Sequence, residues 1–181
     1  MGGTTPLASF QMSSDENNRF PLIPVSCPAD FDFESNLAAT YGIEAKLFSN
    51  VCIRAVNSIY YNAPRIKPGD EGDFAGYCLS AFGTICGHQE HGVEKILFPV
   101  LQKKYDMTPF IQQHASCRAR INTLCDYLKA VVANGPYDGQ KIRESLDSFG
   151  DELVQTFHEG VCVSILDTES AALSDLFFLS R

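Results

Sequence analysis

Between Pro109 and Asn134, Phe110, His114, Cys117, Ile121, Leu124, Leu128 and Val131 recur at alternating spacings of four and three. An α-helix turns once every ~3.6 residues, so these side chains form one unbroken stripe along a single helical face. Ile111, Arg118, Cys125 and Val132 flank it. A stripe of this kind has to be covered by others like it, and the chain supplies three more. The first is Ala45, Ser49, Cys52, Val56 and Ile59, with Ile53 and Tyr60 beside it. The second is Phe74, Tyr77, Cys78, Ala81, Phe82, Ile85 and Cys86, resuming at Val93, Ile96, Leu97, Val100 and Leu101. The last is Ile142, Leu146, Phe149, Leu153, Thr156 and Gly160, flanked by Phe157 and Val161.

Helix breakers separate the stripes. Pro64, Pro68, Gly69 and Gly72 end the first, and Asn134-Gly135-Pro136 ends the third. Thr108-Pro109 reads as an N-cap followed by proline at the first helical position. Pro99 should kink or split the second helix, because it removes a backbone donor. Helices are therefore expected near 34–61, 73–104, 109–133 and 139–160, and no β-alternation of useful length competes with them. Short connections between four amphipathic helices predict an all-α fold, an antiparallel four-helix bundle over residues 31–181. Residues 1–30, rich in Ser, Thr, Pro, Asn and Gly, read as an irregular N-terminal arm within which Phe20-Pro21-Leu22-Ile23-Pro24 could pack on the domain, and the apolar tail Ser164 to Leu179 reads as a short C-terminal helix. Ala171-Ala172-Leu173 and Phe177-Phe178-Leu179 within that tail offer a surface for a homodimer.

The 181 residues suit one domain, and a net charge of -8 argues against nucleic acid or an anionic membrane surface as partner. No apolar run approaches the ~18 residues needed to span a bilayer, and the N-terminus has no basic segment followed by an apolar one. Seven cysteines, an odd number with no C-x-x-C pair, read as reduced core thiols of a cytoplasmic protein.

Ionisable chemistry concentrates in Gly87-His88-Gln89-Glu90-His91-Gly92-Val93-Glu94. Glu90 and Glu94 are one helical turn apart and share a face beside the apolar stripe, the arrangement of carboxylates in a di-metal bundle site. His88, His91 and His158 read as surface or rim histidines.

The segment Ser49 to Tyr60 with Ala63-Pro64, the segment Glu94 to Phe98-Pro99, Gln113-His114, Tyr137-Asp138-Gly139 and Leu153-Val154-Gln155 together resemble fungal hemerythrin-like proteins, over roughly residues 20 to 165. The resemblance implies a bundle that holds metal with inward histidines and carboxylates. By position, its first-helix histidine falls at Ser49, and its second-helix His-x-x-x-Glu falls at Glu90 and Glu94. The third-helix His-x-x-x-His falls at His114 and Arg118, and the fourth-helix pair falls at Thr156 and Gly160. Only Glu94 and His114 persist. An arginine among the ligand positions would repel a dication and cannot itself become a ligand. The resemblance is thus to a member that has lost its metal, and no metal or cofactor is expected.

Small residues where imidazoles would stand leave volume unfilled. The expected cavity is walled by Ser49, Cys52, Gly83, Cys86, Gly87, Thr156, Phe157 and Gly160, with Arg118, His114, Glu90 and Glu94 as its polar, catalytic groups. The same four charged or titratable side chains read equally as an ion-pair cluster left where a metal stood. The resemblance suggests a cofactor-free cyclase or isomerase of fungal secondary metabolism, of the norbornene-forming, intramolecular Diels-Alder type found in sordarin-type diterpenoid biosynthesis. It would act on an apolar, terpenoid-like small molecule, with Arg118 or His114 hydrogen-bonding a dienophile carbonyl. An iron or dioxygen binder with rearranged ligands and a non-catalytic small-molecule binder are the alternatives.

Overall fold

A computed structural model describes residues 18–25, 32, 37–103 and 105–166, and side chains within 18–25, 32, 40–103 and 105–159. Its elements are α1 (Leu37–Asn62), a 3-10 turn (Ala63–Arg65), α2 (Glu71–Gly87), a π-helical segment (His88–Leu97), α3 (Phe98–Leu101), α4 (Thr108–Val132) and α5 (Gly139–Leu166). The fold is all-α, with no strand among the described residues. No described helix is long and apolar enough to cross a membrane. The expected arm before Asn18, and the expected C-terminal helix and dimer surface beyond Leu166, lie outside the described residues.

The ends of the helices follow their local chemistry. Asp138 caps α5, its Oδ1 accepting from the backbone N–H of Gln140 at 2.9 Å and of Lys141 at 3.2 Å. Asn134 leaves α4 with φ +66°, a left-handed conformation that asparagine tolerates. Thr108 is itself the first residue of α4, and the side chain that accepts from its N–H, at 3.0 Å, is Asp106. The N-cap position expected at Thr108 falls instead at Met107, whose side chain makes no capping bond.

α1 packs on α5, α5 on α4, α4 on α2 and α2 on α1. Ile53, Val56, Ile59, Phe82, Ile85, Ile121, Leu128, Ile142, Leu146 and Leu153 are among the residues that fill the main core. α5 starts tight against the turn after α1. A Cβ on Gly139 would lie 2.1 Å from the Ala63 carbonyl oxygen, so only glycine fits there. A second, smaller apolar cluster comprises Leu97, Phe98, Leu101 and Met107, with Val93 and Phe110 packed against it.

The short stretch from Arg19 to Ile23 lies along α1. The Asn57 side-chain amide both donates to the Phe20 carbonyl (2.8 Å) and accepts from its N–H (2.9 Å). Asn50 holds Ile23 in the same two-bonded way, at 2.8 and 2.7 Å. Seven residues of helix rise about 10 Å and three extended residues reach about 10 Å, so the two anchor spacings match. The stretch therefore runs antiparallel to α1. These bonds are buried. Asn57→Ala should accordingly cost about 1–3 kcal/mol, the penalty for stranding buried polar groups. Urea unfolding checks this, and a loss indistinguishable from zero would mean that the stretch does not hold this position.

The second apolar stripe departs from expectation. The π-helical segment occupies His88–Leu97, with the Phe98 N–H donating to the carbonyl of Val93 five residues back. Pro99 is the physical reason: in an α register its ring would press on the Lys95 carbonyl, and a wider turn moves that carbonyl aside. The widened register turns Ile96, expected in the stripe, outward to 51% exposure, while Gln89, near the start of the segment and still in step with Phe82 and Ile85, is only 3% exposed. Lys95 reaches back five residues to Glu90 at 2.8 Å, a spacing that suits the wider turn.

Candidate functional site

Among the described residues six polar side chains are buried: Ser49, Asn50, Asn57, Gln89, His114 and Thr156. Asn50 and Asn57 hold the N-terminal stretch. The other four, contributed by α1, the π-helical segment, α4 and α5, all line one cavity of about 40 Å³. Leu97 and Phe157 complete its buried floor, and the less buried Tyr41, Ala45, His88 and Val93 form its partly open mouth. Phe157 belongs to the main core and Leu97 to the smaller cluster, so the polar belt separates the two apolar regions.

The hydrogen bonds in the belt define its chemistry. The Thr156 hydroxyl donates to the Leu153 carbonyl at 2.7 Å. With its proton committed, it can only accept, and Gln89 Nε2 donates to it at 3.1 Å. This fixes which end of the amide faces Thr156. It also leaves Gln89 with a second amide hydrogen unspent among the described residues.

His114 Nδ1 lies 3.3 Å from Glu94 Oε1, and Arg118 Nη2 donates to that same oxygen. The ring meets Phe98 edge-on, with centroids 5.1 Å apart. Burial pushes His114 below its ordinary pKa of 6.5, against the opposing pull of Glu94. It is therefore neutral at physiological pH, with Nδ1–H directed at Glu94 and Nε2 carrying the lone pair. His88, packed on Phe48 with ring centroids 4.1 Å apart, is also pushed down by burial.

These two imidazoles give stability a pH dependence of known sign. A histidine whose pKa is lower folded than unfolded binds more protons unfolded, so stability is complete above pH 6.5 and falls as the pH drops toward the folded values. The urea midpoint should decline on acidification below about pH 6.5. His114→Gln should flatten that decline, and an unchanged slope would show that His114 is not held neutral.

Of the residues named from the sequence, Ser49, His114, Thr156 and Phe157 do line the cavity, and Glu94 and Arg118 stand behind His114 as an ion pair. The others are placed differently. Glu90 does not converge with them: its side chain is 43% exposed and pairs with Lys95. Gly83 is exposed and Gly87 half-buried, and a Cβ on either would meet nothing within 4 Å, so neither forms a wall. The inward stripe of α2 runs through Cys78, Phe82 and Ile85, which turns Gly83 away. Cys52 lies in the main core, its thiol pushed up to about 12 by burial, and Cys86 packs partly buried against that core. Neither lines the cavity. Gly160 is on α5, with surroundings outside the described side chains. His91 is exposed and bonds the Gly87 carbonyl at 3.2 Å.

Gln89 is the residue that sequence reasoning passed over. It stands four residues after Ile85 and seven after Phe82, on the inward stripe itself. The neighbouring histidines and glutamates drew the reading away from an uncharged amide.

The chain matches no family model, no curated protein and no solved structure. The metal centre implied by the resemblance can be tested against the side chains. Glu90 is turned outward, Glu94 is engaged by a guanidinium, and Gln89 and Thr156 are bonded to each other. Among the described residues no three His, Cys, Asp or Glu side chains are grouped to hold a metal ion. The residues present do not fit a di-iron centre.

Proposed function

We propose that the chain is an antiparallel four-helix bundle of hemerythrin-like type, working as a cofactor-free cyclase of the intramolecular Diels-Alder class on an apolar, terpenoid-like polyene bearing a conjugated carbonyl. The observation that carries this reading is the polar belt of Ser49, Gln89, His114 and Thr156 around a partly open cavity between two apolar clusters. The closed circuit of packed helices, α1 on α5, α5 on α4, α4 on α2 and α2 on α1, is what such a bundle requires.

A cavity of about 40 Å³ is far below the ~300–1,000 Å³ of pockets that enclose a whole metabolite. It accommodates the carbonyl end of the substrate, and the hydrocarbon lies in the mouth among Tyr41, Ala45, His88 and Val93. Fixing diene and dienophile there removes entropy from the barrier. The unspent amide hydrogen of Gln89 meets the carbonyl oxygen and stabilises the charge that grows on it in the transition state. The donor role expected of Arg118 or His114 thus passes to Gln89, since the Nη2 of Arg118 and the Nδ1–H of His114 are directed at Glu94.

Incubation of the purified protein with a linear polyene enone tests the reading. The expected product is a cyclic isomer of unchanged mass, formed at the same rate after treatment with a chelator. A rate restored only by added iron would favour the rearranged metal site, and binding without any isomer would favour a non-catalytic binder.

A further inference from the structure

We propose that His114 is a catalytic base, whose Nε2 takes a proton from the carbon γ to the substrate carbonyl, so that the protein generates the diene it then cyclises. The inference rests on the cyclase reading and narrows its substrate class to enolisable enones.

Four observations converge on it. Nδ1 of His114 faces Glu94, which fixes the tautomer and leaves Nε2 as the basic nitrogen. Glu94 is held in turn by Arg118, so the carboxylate that orients the ring is itself oriented. Nε2 makes no hydrogen bond among the described residues, and His114, 5% exposed, lines the partly open cavity. Finally, His114 and Gln89 line the same cavity. A base and an amide donor beside one small space are the two groups that proton abstraction next to a carbonyl needs.

The step balances without an oxidant. The Cγ–H bond breaks, its proton goes to Nε2, and its electron pair shifts through the conjugated system onto the carbonyl oxygen. Gln89 donates to that oxygen as its charge grows. The imidazolium is stabilised by Glu94, then returns the proton to the oxygen, and the resulting dienol is the diene of the cycloaddition, so that an isolated double bond further along the chain is the dienophile and Gln89 acts on the enolisation that precedes ring closure. Glu94 acts here as a positioning residue.

Solvent deuterium separates this step from the cyclisation. Cyclohex-2-en-1-one, which cannot cyclise, serves as a first probe in D2O. The unaltered protein should exchange the γ hydrogen on one face of it for deuterium, whereas buffer catalysis exchanges both. His114→Gln should lower that rate by about 10²-fold or more, the usual contribution of a general base. Glu94→Gln should lower kcat with little change in KM, a split that a purely structural role would not produce. Since the first variant risks misfolding, the facial selectivity of the unaltered protein is an independent readout, and labelling of both faces at the buffer rate overturns the proposal. With a linear polyene enone carrying two deuterium atoms at the γ carbon, in ordinary water, the two readings part. Loss of γ deuterium without a cyclic product sustains the base and defeats the cyclase, and a cyclic product that keeps both γ deuterium atoms does the reverse.

Discussion

Gln89→Leu should slow cyclisation by about 10²–10³-fold while leaving the protein folded. The amide lines the cavity with one hydrogen unspent among the described residues and fixed in direction, because Thr156 holds its other one. Losing a preorganised donor to a developing oxyanion costs roughly 2.7–4 kcal/mol of transition-state stabilisation. The ground state suffers little. Leucine has a similar volume and would stand beside Leu97 and Phe157, and the Thr156 hydroxyl retains its bond to the Leu153 carbonyl. Stability should therefore fall by no more than about 1–3 kcal/mol, the range for leaving a buried acceptor, here the Thr156 oxygen, without its donor. Turnover kinetics and a urea titration of the same sample read both quantities. A variant that loses stability but keeps its rate would make Gln89 a structural residue and remove the proposed donor.

Phe20→Ala should destabilise the fold by about 3–5 kcal/mol, the cost of truncating a fully buried aromatic ring. Phe20 is 0% exposed, although it stands outside every helix. Its ring meets Tyr60 edge-on at 5.8 Å, and the Arg19 guanidinium lies 4.7 Å from its centroid. Gly150 on α5 makes room for it, since a Cβ there would come within 2.4 Å of the ring. Arg19 closes the contact through Asp151 at 2.8 Å. Gly150→Ala should produce a loss of the same sign by driving a methyl into that ring. If Phe20→Ala unfolds at the same denaturant concentration as the unaltered protein, the ring does not occupy this site.

Helices were legible in the sequence because their signal is a period, and a period survives local exceptions. Ile53, Val56 and Ile59 on α1, and Ile142, Leu146 and Leu153 on α5, are buried where the stripes placed them. The π-helical segment was not legible, since Pro99 announces only that the α register must give way, not how. That one unknown moved Ile96 outward and left Glu90 with Lys95 as its partner. The pairing of Glu94 with both His114 and Arg118 was foreseeable from positions alone, because charged groups on an inward face have to find partners. The cavity's size was not: whether small residues leave a void depends on how closely their neighbours collapse, and Gln89 fills much of what Ser49 and Thr156 leave. That Phe20-Pro21-Leu22-Ile23-Pro24 could pack on the domain was legible, but where Phe20 docks was not. A single aromatic in a polar, proline-rich stretch carries no period, and its receptor is a missing Cβ on Gly150, more than a hundred positions away.

A crystal structure of the protein with a saturated, unreactive analogue of a polyene enone tests the central claim most directly. The account predicts the carbonyl oxygen within hydrogen-bonding distance of Gln89 Nε2, between His114 and Thr156, with the hydrocarbon running out past Val93 and Ala45. An analogue bound elsewhere on the protein, with the polar belt closed and unchanged, would contradict it.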